Sequence, residues 1–493
     1  MKLTVHNIYD YYSSTPCEKR LYYRFKGEKE APLSPFEEVI IRLGEKHEKN
    51  HINSLGEFFD VSSILSDQQA SSTLELIQKH TPIIYQGLLS TKSKISDAEI
   101  DIVGIPDIMI YEESGYILRD CKLARHADEK RHPEIILQLQ VYGYLYEMTT
   151  GQKPVRLEVV LGDSTISQIQ YDDGYSAKDI LKQVFEIVTL PEAPYSPVGW
   201  TKCQDCHFKT ICWDIAVKNK DAAIIYGVEQ NLARVLRGSG TITVEDLLAN
   251  YDENSLAELR IPHGKSERKV GKKASGIIRH AKALQEGQRI ILGNIALPDV
   301  PNFIMFDIEG LPPYLDEMEK IYLWGLQLYG EKHGTYMPAL APIEPNGDKI
   351  GWDRFLANCK KIFDENGDIP FIHWHHYEKT KLKLYIDRYG DPDAIAQRVL
   401  DNLVDLLPLT KKSMVLPELS YSLKVVERVA GFQRTQDEYG GTWAMAKYIE
   451  AVETEDTNIQ DKIINDIMKY NEEDLAAMWA VFEWLKETIQ KNN

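Results

Sequence analysis

Apolar and polar positions alternate through residues 95–123, as DAEIDIVGIPDIMIYEE, a turn at Ser114-Gly115 and then YILRDCKL. A period of two predicts paired strands. The next run, PEIILQLQVYGYLYEM, changes to helical spacing and carries Pro133 at its start, where a missing N–H costs nothing. Strands resume near Val155–Leu161 and Ser167–Tyr171, so the first 200 residues read as an α/β unit with helices on both sides of a small mixed sheet. From about 216 to 295 short apolar segments (IIYGV, LARVL, VEDLLANY, LAELRI, ASGIIRHAKAL) separated by polar breaks predict a helical connector. A fresh strand begins with FIMFDIEG at Phe303, followed by KIYLWGLQLYG and a third near GTYMPALAP. Helices then alternate with a short strand, PFIHWH, and the chain ends in a long amphipathic helix from about Asn458 to Thr488.

Composition narrows the class. The chain has 493 residues, 43% of them hydrophobic and 27% charged, which describes a folded protein of two to four domains. No run approaches the roughly 18 to 20 consecutive apolar residues of a membrane helix, and the start MKLTVHNIYDYYSS lacks the basic and apolar regions of a secretory signal. A cytoplasmic location with no membrane partner is the expectation, and in that reducing compartment clustered cysteines point to metal rather than disulfides. A net charge of −18 weighs against nucleic acid until it is divided along the chain. The balance is about −9 over residues 1–200, +3 over 201–300 and −12 over 301–493, and residues 261–290 hold eight basic against two acidic side chains. Acidic blocks are where divalent metals bind. The paired short helices around the basic strip suggest helix-hairpin-helix, a module that binds DNA backbone.

Asp107, at the end of one strand, and Asp120-x-Lys122, on the next, fall at one edge of the predicted hairpin, with residues 120 and 122 on one face. Two carboxylates so placed can hold Mg²⁺ or Mn²⁺, and the lysine can orient a water or neutralise charge on a phosphate. With GIPD, this spacing and Gln138-x3-Tyr142 on the following helix, residues 1–215 resemble the RecB-like branch of the PD-(D/E)XK nucleases. The resemblance implies catalytic roles for Asp107, Asp120, Lys122, Gln138 and Tyr142, and a metal-binding histidine on an earlier helix. His47 in RLGEKHEKN fits that place, with Glu48 beside it as the alternative ligand.

Cys203-x2-Cys206-x5-Cys212 is a tight trio that wants a fourth ligand for either tetrahedral zinc or an iron–sulfur cubane. Cys17, in TPCEKRLYYRF, resembles the distant N-terminal cysteine that joins such a trio in the iron–sulfur nucleases of the AddB type and the CRISPR-associated exonucleases. That resemblance implies a structural [4Fe–4S] cluster, zinc being the alternative, tying together the two ends of the domain. Cys121 and Cys359 read as core.

FDIEG places Asp307 and Glu309 on one strand face, and KYNEEDLAAMW sets Tyr470 and Asp474 one helical turn apart. Carboxylates gathered this way suit two-metal hydrolysis, with the tyrosine orienting water. Three strands followed by α/β alternation resemble a ribonuclease H-like sheet. The motifs resemble the DnaQ-like DEDD exonucleases, especially the YprB type, over about 300–490. Glu378 in FIHWHHYEKTKL replaces the usual aspartate of the second motif, and Asp405 matches a supporting acidic position. His373, His375 and His376 raise the separate idea of a zinc site, while Glu472 and Glu473 read as a solvated face.

The order of parts, an α/β multidomain chain with a nuclease at 1–215, a helical connector at 216–298 and a ribonuclease H-like DnaQ-type α/β domain at 299–493, resembles the prokaryotic RecB-like nuclease family carrying both folds. The resemblance implies a metal-dependent nuclease acting on DNA rather than RNA, at single strands or ends, in repair, recombination or defence, with a helicase or other DNA-processing protein as a possible partner. The alternatives are a nucleic-acid-binding assembly protein with one or both sites vestigial, and an RNA-processing nuclease.

Overall fold

The alternating stretch does form strands, but they belong to two sheets rather than one. In the computed structural model, which describes all residues but 13–14, 205, 294–295, 313–318, 437–439 and 492–493, Ala98–Gly104 lies between Lys2–Thr4, its parallel neighbour, and the antiparallel Leu89–Ile95. Ile105-Pro106 then carries the chain into a second sheet, since a proline cannot donate to a continuing ladder. Six strands form it in the order Phe59–Asp60, Ile83–Tyr85, Ile108–Glu112, Gly115–Cys121, Arg156–Val160, Ile166–Ile169. The three-residue break, 105–107, leaves Asp107 at the mouth of the hairpin that holds Asp120.

Gly115–Cys121 and Arg156–Val160 are parallel, and the helix Pro133–Thr150 makes the crossover between them. This helix buries Leu139, Val141, Tyr142, Tyr144, Leu145 and Tyr146, residues spread round its circumference, as a helix packed on several sides must. Gly143 is the gap in that surface: a Cβ there would stand 2.6 Å from the Tyr171 ring. Leu3 and Ile102 from the smaller sheet, Leu118 and Leu157 from the larger, and Leu139 from the helix share one core.

By their contacts, Met1–Leu33, Glu37–Pro197 and Thr201–Cys212 form one unit, and Ser34–Phe36, Val198–Trp200 and Trp213–Asn493 the other. Residues 216–298 therefore group with the C-terminal sheet. They are not wholly helical: between Glu253–Glu258 and Lys273–Glu286 stands an antiparallel hairpin, Arg260–His263 with Ser266–Lys269. Pro262 breaks the helical pattern, and Gly264, at φ +59°, makes the two-residue turn. Half the basic strip is paired, Arg268 and Lys273 to Glu229, Lys269 to Glu258 and Arg279 to Glu253, so its field is weaker than its composition implies.

The C-terminal sheet runs Met337–Leu340, Lys320–Gly330, Asn302–Leu311, Phe371–His373, Leu403–Asp405. Its first three strands are antiparallel and the last two join in parallel. Ile304, Phe306 and Ile308 pack on one face with Trp324, Trp352, Phe355 and Tyr385, whereas Phe303 and Met305 pack on the other against Met478, Val481 and Phe482 of the helix Thr457–Lys491. Both faces are covered, which explains the nearly continuous apolar run FIMF. Among the described residues no helix is long and apolar enough to cross a membrane.

Leu118, fully buried in a central strand, anchors the first core. Leu118→Ala should lower the unfolding free energy of its unit by about 3 kcal/mol, read from the shift of the urea midpoint followed by circular dichroism.

Candidate functional site

The N-terminal constellation closes as the hairpin pairs. Asp107 directly precedes Ile108–Glu112, and its Oδ2 accepts the Cys121 backbone N–H at 2.7 Å, pinning the carboxylate to the neighbouring strand. Asp120 is 1% exposed, its Oδ2 lies 2.5 Å from Lys122 Nζ, and its Oδ1 has no hydrogen-bond partner among the described residues. A buried carboxylate oxygen left without a donor costs on the order of 1 to 3 kcal/mol. Burial, then the nearby Asp120, hold the Asp107 carboxyl well above its ordinary value. For Lys122 burial pulls the other way, but Asp120 and Asp107 overcome it and leave the ammonium above the ordinary lysine range.

Gln86 links a further carboxylate to this pair. Its side-chain amide donates to Glu48 Oε1 at 2.5 Å and reaches Asp107 Oδ1 at 3.4 Å, while its backbone N–H donates to the Asp107 carbonyl at 2.8 Å. The helix Pro35–Ser54 thus turns Glu48 toward the carboxylates. Its neighbour His47 has Nε2 3.4 Å from the Val160 carbonyl, which also accepts the Lys122 backbone N–H. Gln138 Nε2 donates to Tyr142 Oη at 2.8 Å. Burial, with Asp120 and Asp107 nearby, raises the Tyr142 phenol, so it stays a neutral donor. An all-oxygen set around a partnerless Asp120 Oδ1 fits a hard divalent cation such as Mg²⁺ or Mn²⁺.

The cysteines gather within the same unit. Cys17 stands at the N-cap of Glu18–Lys26, Cys212 lies in Lys209–Lys218, and the Cys206 N–H is 3.4 Å from the Cys203 carbonyl. Cys212 is pushed up to about 11 by burial, with Cys17, Cys206 and Cys203 close enough to add to the shift against Lys19. Cys17 behaves differently: burial raises it, but Lys202 and the Ser196 hydroxyl, 3.5 Å from its sulfur, bring it below its ordinary value. Lys202 is itself 3% exposed and donates to Ser196 Oγ at 2.5 Å. Among the described residues the thiols do not come close enough together to form a metal-holding group of three or more, as the carboxylates of the C-terminal unit do.

In the C-terminal unit Asp307, Glu309 and Asp474 offer oxygen atoms all within 4.8 Å of one another. Asp307 and Glu309 lie on the central strand, and a bulge follows at Glu309/Gly310. Asn471, one turn before Asp474, donates to Asp307 Oδ2 at 2.7 Å and accepts from Tyr336 Oη at 2.8 Å. Gly325, opposite Asp307 in the sheet, makes this possible, because a Cβ there would lie 1.8 Å from Asn471 Oδ1. Burial, then Asp474, raise Asp307 well above its usual range, and burial with Asp474 does the same to Glu309. Glu378, 3% exposed, also faces Asp307 electrostatically, and its Oε2 lies 3.1 Å from His373 Nδ1. Tyr470 is buried against Asp474. Asp405 caps a helix and the His375 loop, accepting from Leu407 N at 3.1 Å and His375 N at 2.9 Å. No histidine joins a metal-holding cluster among the described residues.

Sequence reasoning did not find Gln86, Asn471 or Arg434. Arg434 donates to Asp474 Oδ1 and, through Nε and Nη2, to both oxygens of Glu427 at 2.8 Å. Lys424 also faces Asp474 and Glu309. Asn471 carried a local signal, its position one turn from Asp474. Gln86 and Arg434 carried none, since each meets its partner across a long stretch of chain.

Residues 27–213 match the PD-(D/E)XK nuclease superfamily, and residues 304–486 match the RNase H superfamily. The chain therefore carries a PD-(D/E)XK domain near its N-terminus and an RNase H-like domain near its C-terminus. It is a hydrolytic nuclease. Among solved structures, SSO0001 is similar to it at 15% identity over 43% of this chain and 85% of that one, with a TM-score of 0.22. A proposed exonuclease from Eubacterium rectale is similar at 15% identity over 38% of this chain and 81% of that one, with a TM-score of 0.25. No curated protein sequence matches the chain.

The raised carboxyls set a pH dependence. The folded protein keeps protons that the unfolded chain sheds near an ordinary pKa of about 4, so stability falls as pH climbs from there through the folded values. Asp307→Asn removes one such group. In EDTA at about pH 8 the variant should melt several degrees above wild type, and the difference should vanish near pH 4, as followed by differential scanning fluorimetry.

Proposed function

We propose that this nuclease cleaves DNA, trimming single strands or ends, with Asp107, Asp120 and Lys122 as its primary site. The observation that carries the reading is the buried, partnerless oxygen of Asp120 between a second carboxylate and a lysine. Asp107, Asp120 and Glu48 or His47 would hold Mg²⁺ or Mn²⁺, which when bound polarises a phosphoryl oxygen and acidifies a water. Lys122, kept charged by its two carboxylates, acts as a donor and not as a base, and stabilises charge developing on the phosphate as the P–O bond to the leaving oxygen breaks. Tyr142, neutral and held by Gln138, offers a second fixed donor beside it.

Cys17, Cys203, Cys206 and Cys212 would hold a structural [4Fe–4S] cluster, with Lys202 offsetting its negative charge. The choice of DNA rests on the motif resemblance, as do a cytoplasmic location and a helicase-like partner. Asp307, Glu309, Glu378, Asp474 and Tyr470 would form a second hydrolytic site. The grip of Arg434 on Asp474 favours a reading in which this second site is quiescent in the resting protein.

Cleavage of end-labelled single- and double-stranded DNA and RNA by anaerobically purified protein with Mn²⁺ tests the assignment. Lys122→Ala should lose about a hundredfold or more of the DNA cleavage, and Asp307→Ala should keep most of it. Unchanged cleavage in Lys122→Ala, or cleavage of RNA alone, overturns the reading. The same preparation should absorb near 400 nm, roughly where iron–sulfur charge transfer falls, and Cys203→Ser should lose the band; stoichiometric zinc without the band would replace the cluster.

A further inference from the structure

Arg434 is set between two acids in the C-terminal unit. Its side chain and that of Glu427 are each 3% exposed, and the two form a fork-to-fork pair while Nη2 also reaches Asp474 Oδ1. Asp474 is one of the three carboxylates whose oxygens converge within 4.8 Å. A divalent ion bound at about 2.1 Å from Asp474 would repel a guanidinium on the same oxygen, because like charges a few ångströms apart are costly where water is excluded. The two occupants therefore compete for Asp474. The fork to Glu427 supplies a resting place, since both of its hydrogen bonds survive when the contact with Asp474 breaks.

We propose that Arg434 holds the place on Asp474 that a divalent ion needs, so that the C-terminal site fills only as the guanidinium withdraws onto Glu427. This rests on the reading of Asp307, Glu309 and Asp474 as a metal-holding group. Arg434 is then a positioning residue, and Glu427 sets how tightly it competes. Removing the arginine frees Asp474 and strengthens metal binding. Neutralising Glu427 weakens the fork that draws the arginine away from Asp474, so the arginine leans on Asp474 harder and metal binding weakens. A merely structural ion pair would move both variants the same way, because each would simply loosen the site.

The test uses full-length protein carrying Asp120→Asn to silence the N-terminal carboxylates, with Mn²⁺ binding measured by titration calorimetry. Arg434→Gln should bind Mn²⁺ about tenfold more tightly, and Glu427→Gln about tenfold more weakly. Arg434→Met, which keeps the length and loses the charge, should also bind more tightly, and it serves if the glutamine variant fails to fold. Asp307→Asn should abolish the binding. If Asp307→Asn leaves Mn²⁺ binding intact, the metal-site reading falls and the proposal with it. If Asp307→Asn abolishes binding but the arginine variants are unchanged or weaker, or both families shift in the same direction, the proposal alone is overturned.

Discussion

Like charge held out of water is the constraint around which both domains are built. Asp107 and Asp120 in one, and Asp307, Glu309, Glu378 and Asp474 in the other, are buried or half-buried carboxylates, and burial with the neighbouring acids raises Asp107, Asp307 and Glu309. Neither group would survive on a flexible loop, because the chain would relax to separate the charges. Each is instead fastened to backbone that cannot move: Asp107 by the Cys121 N–H of the paired strand, Asp307 and Glu309 by a central strand packed on both faces. The cores supply the rigidity that keeps these like charges together.

The two domains balance this charge differently. In the first, Lys122 comes from the same strand end as Asp120, two residues away, and leaves one oxygen of Asp120 open. In the second, the balancing cation is Arg434, forty residues from Asp474 in the chain and anchored by its own acid, Glu427. A lysine ammonium is a point charge that can pair and still leave room; a guanidinium fork fills the space before a carboxylate. That contrast, more than the count of acids, distinguishes an open site from an occupied one.

How much was legible follows the distance along the chain. Asp107, Asp120 and Lys122 could be read because strand alternation puts residues two apart on one face and the hairpin is local; Asp307 with Glu309, and Tyr470 with Asp474, could be read for the same reason. The succession of C-terminal strands along the chain and the long final helix also followed from patterning. The hairpin at Arg260–Lys269 was misread as helix because Pro262 and Gly264 outweigh a short apolar period, and the single expected N-terminal sheet became two because Pro106 ends a ladder. Gln86, Gly325 and Arg434 were silent because each matters only through a neighbour brought close by folding, and Asn471 gave no more than its place one turn from Asp474.

The sequence by itself determined the chemistry available: which strands carry acids, that a lysine sits two residues from one of them, and that two α/β units follow one another. Only the tertiary structure decided who faces whom. It set Glu48 against Asp107 through Gln86, opened a place for Asn471 at Gly325, and laid Arg434 on Asp474. The reason is physical: local periodicity fixes the direction of a side chain relative to its own backbone, whereas its neighbours, and hence its charge state, depend on packing between segments distant in the chain.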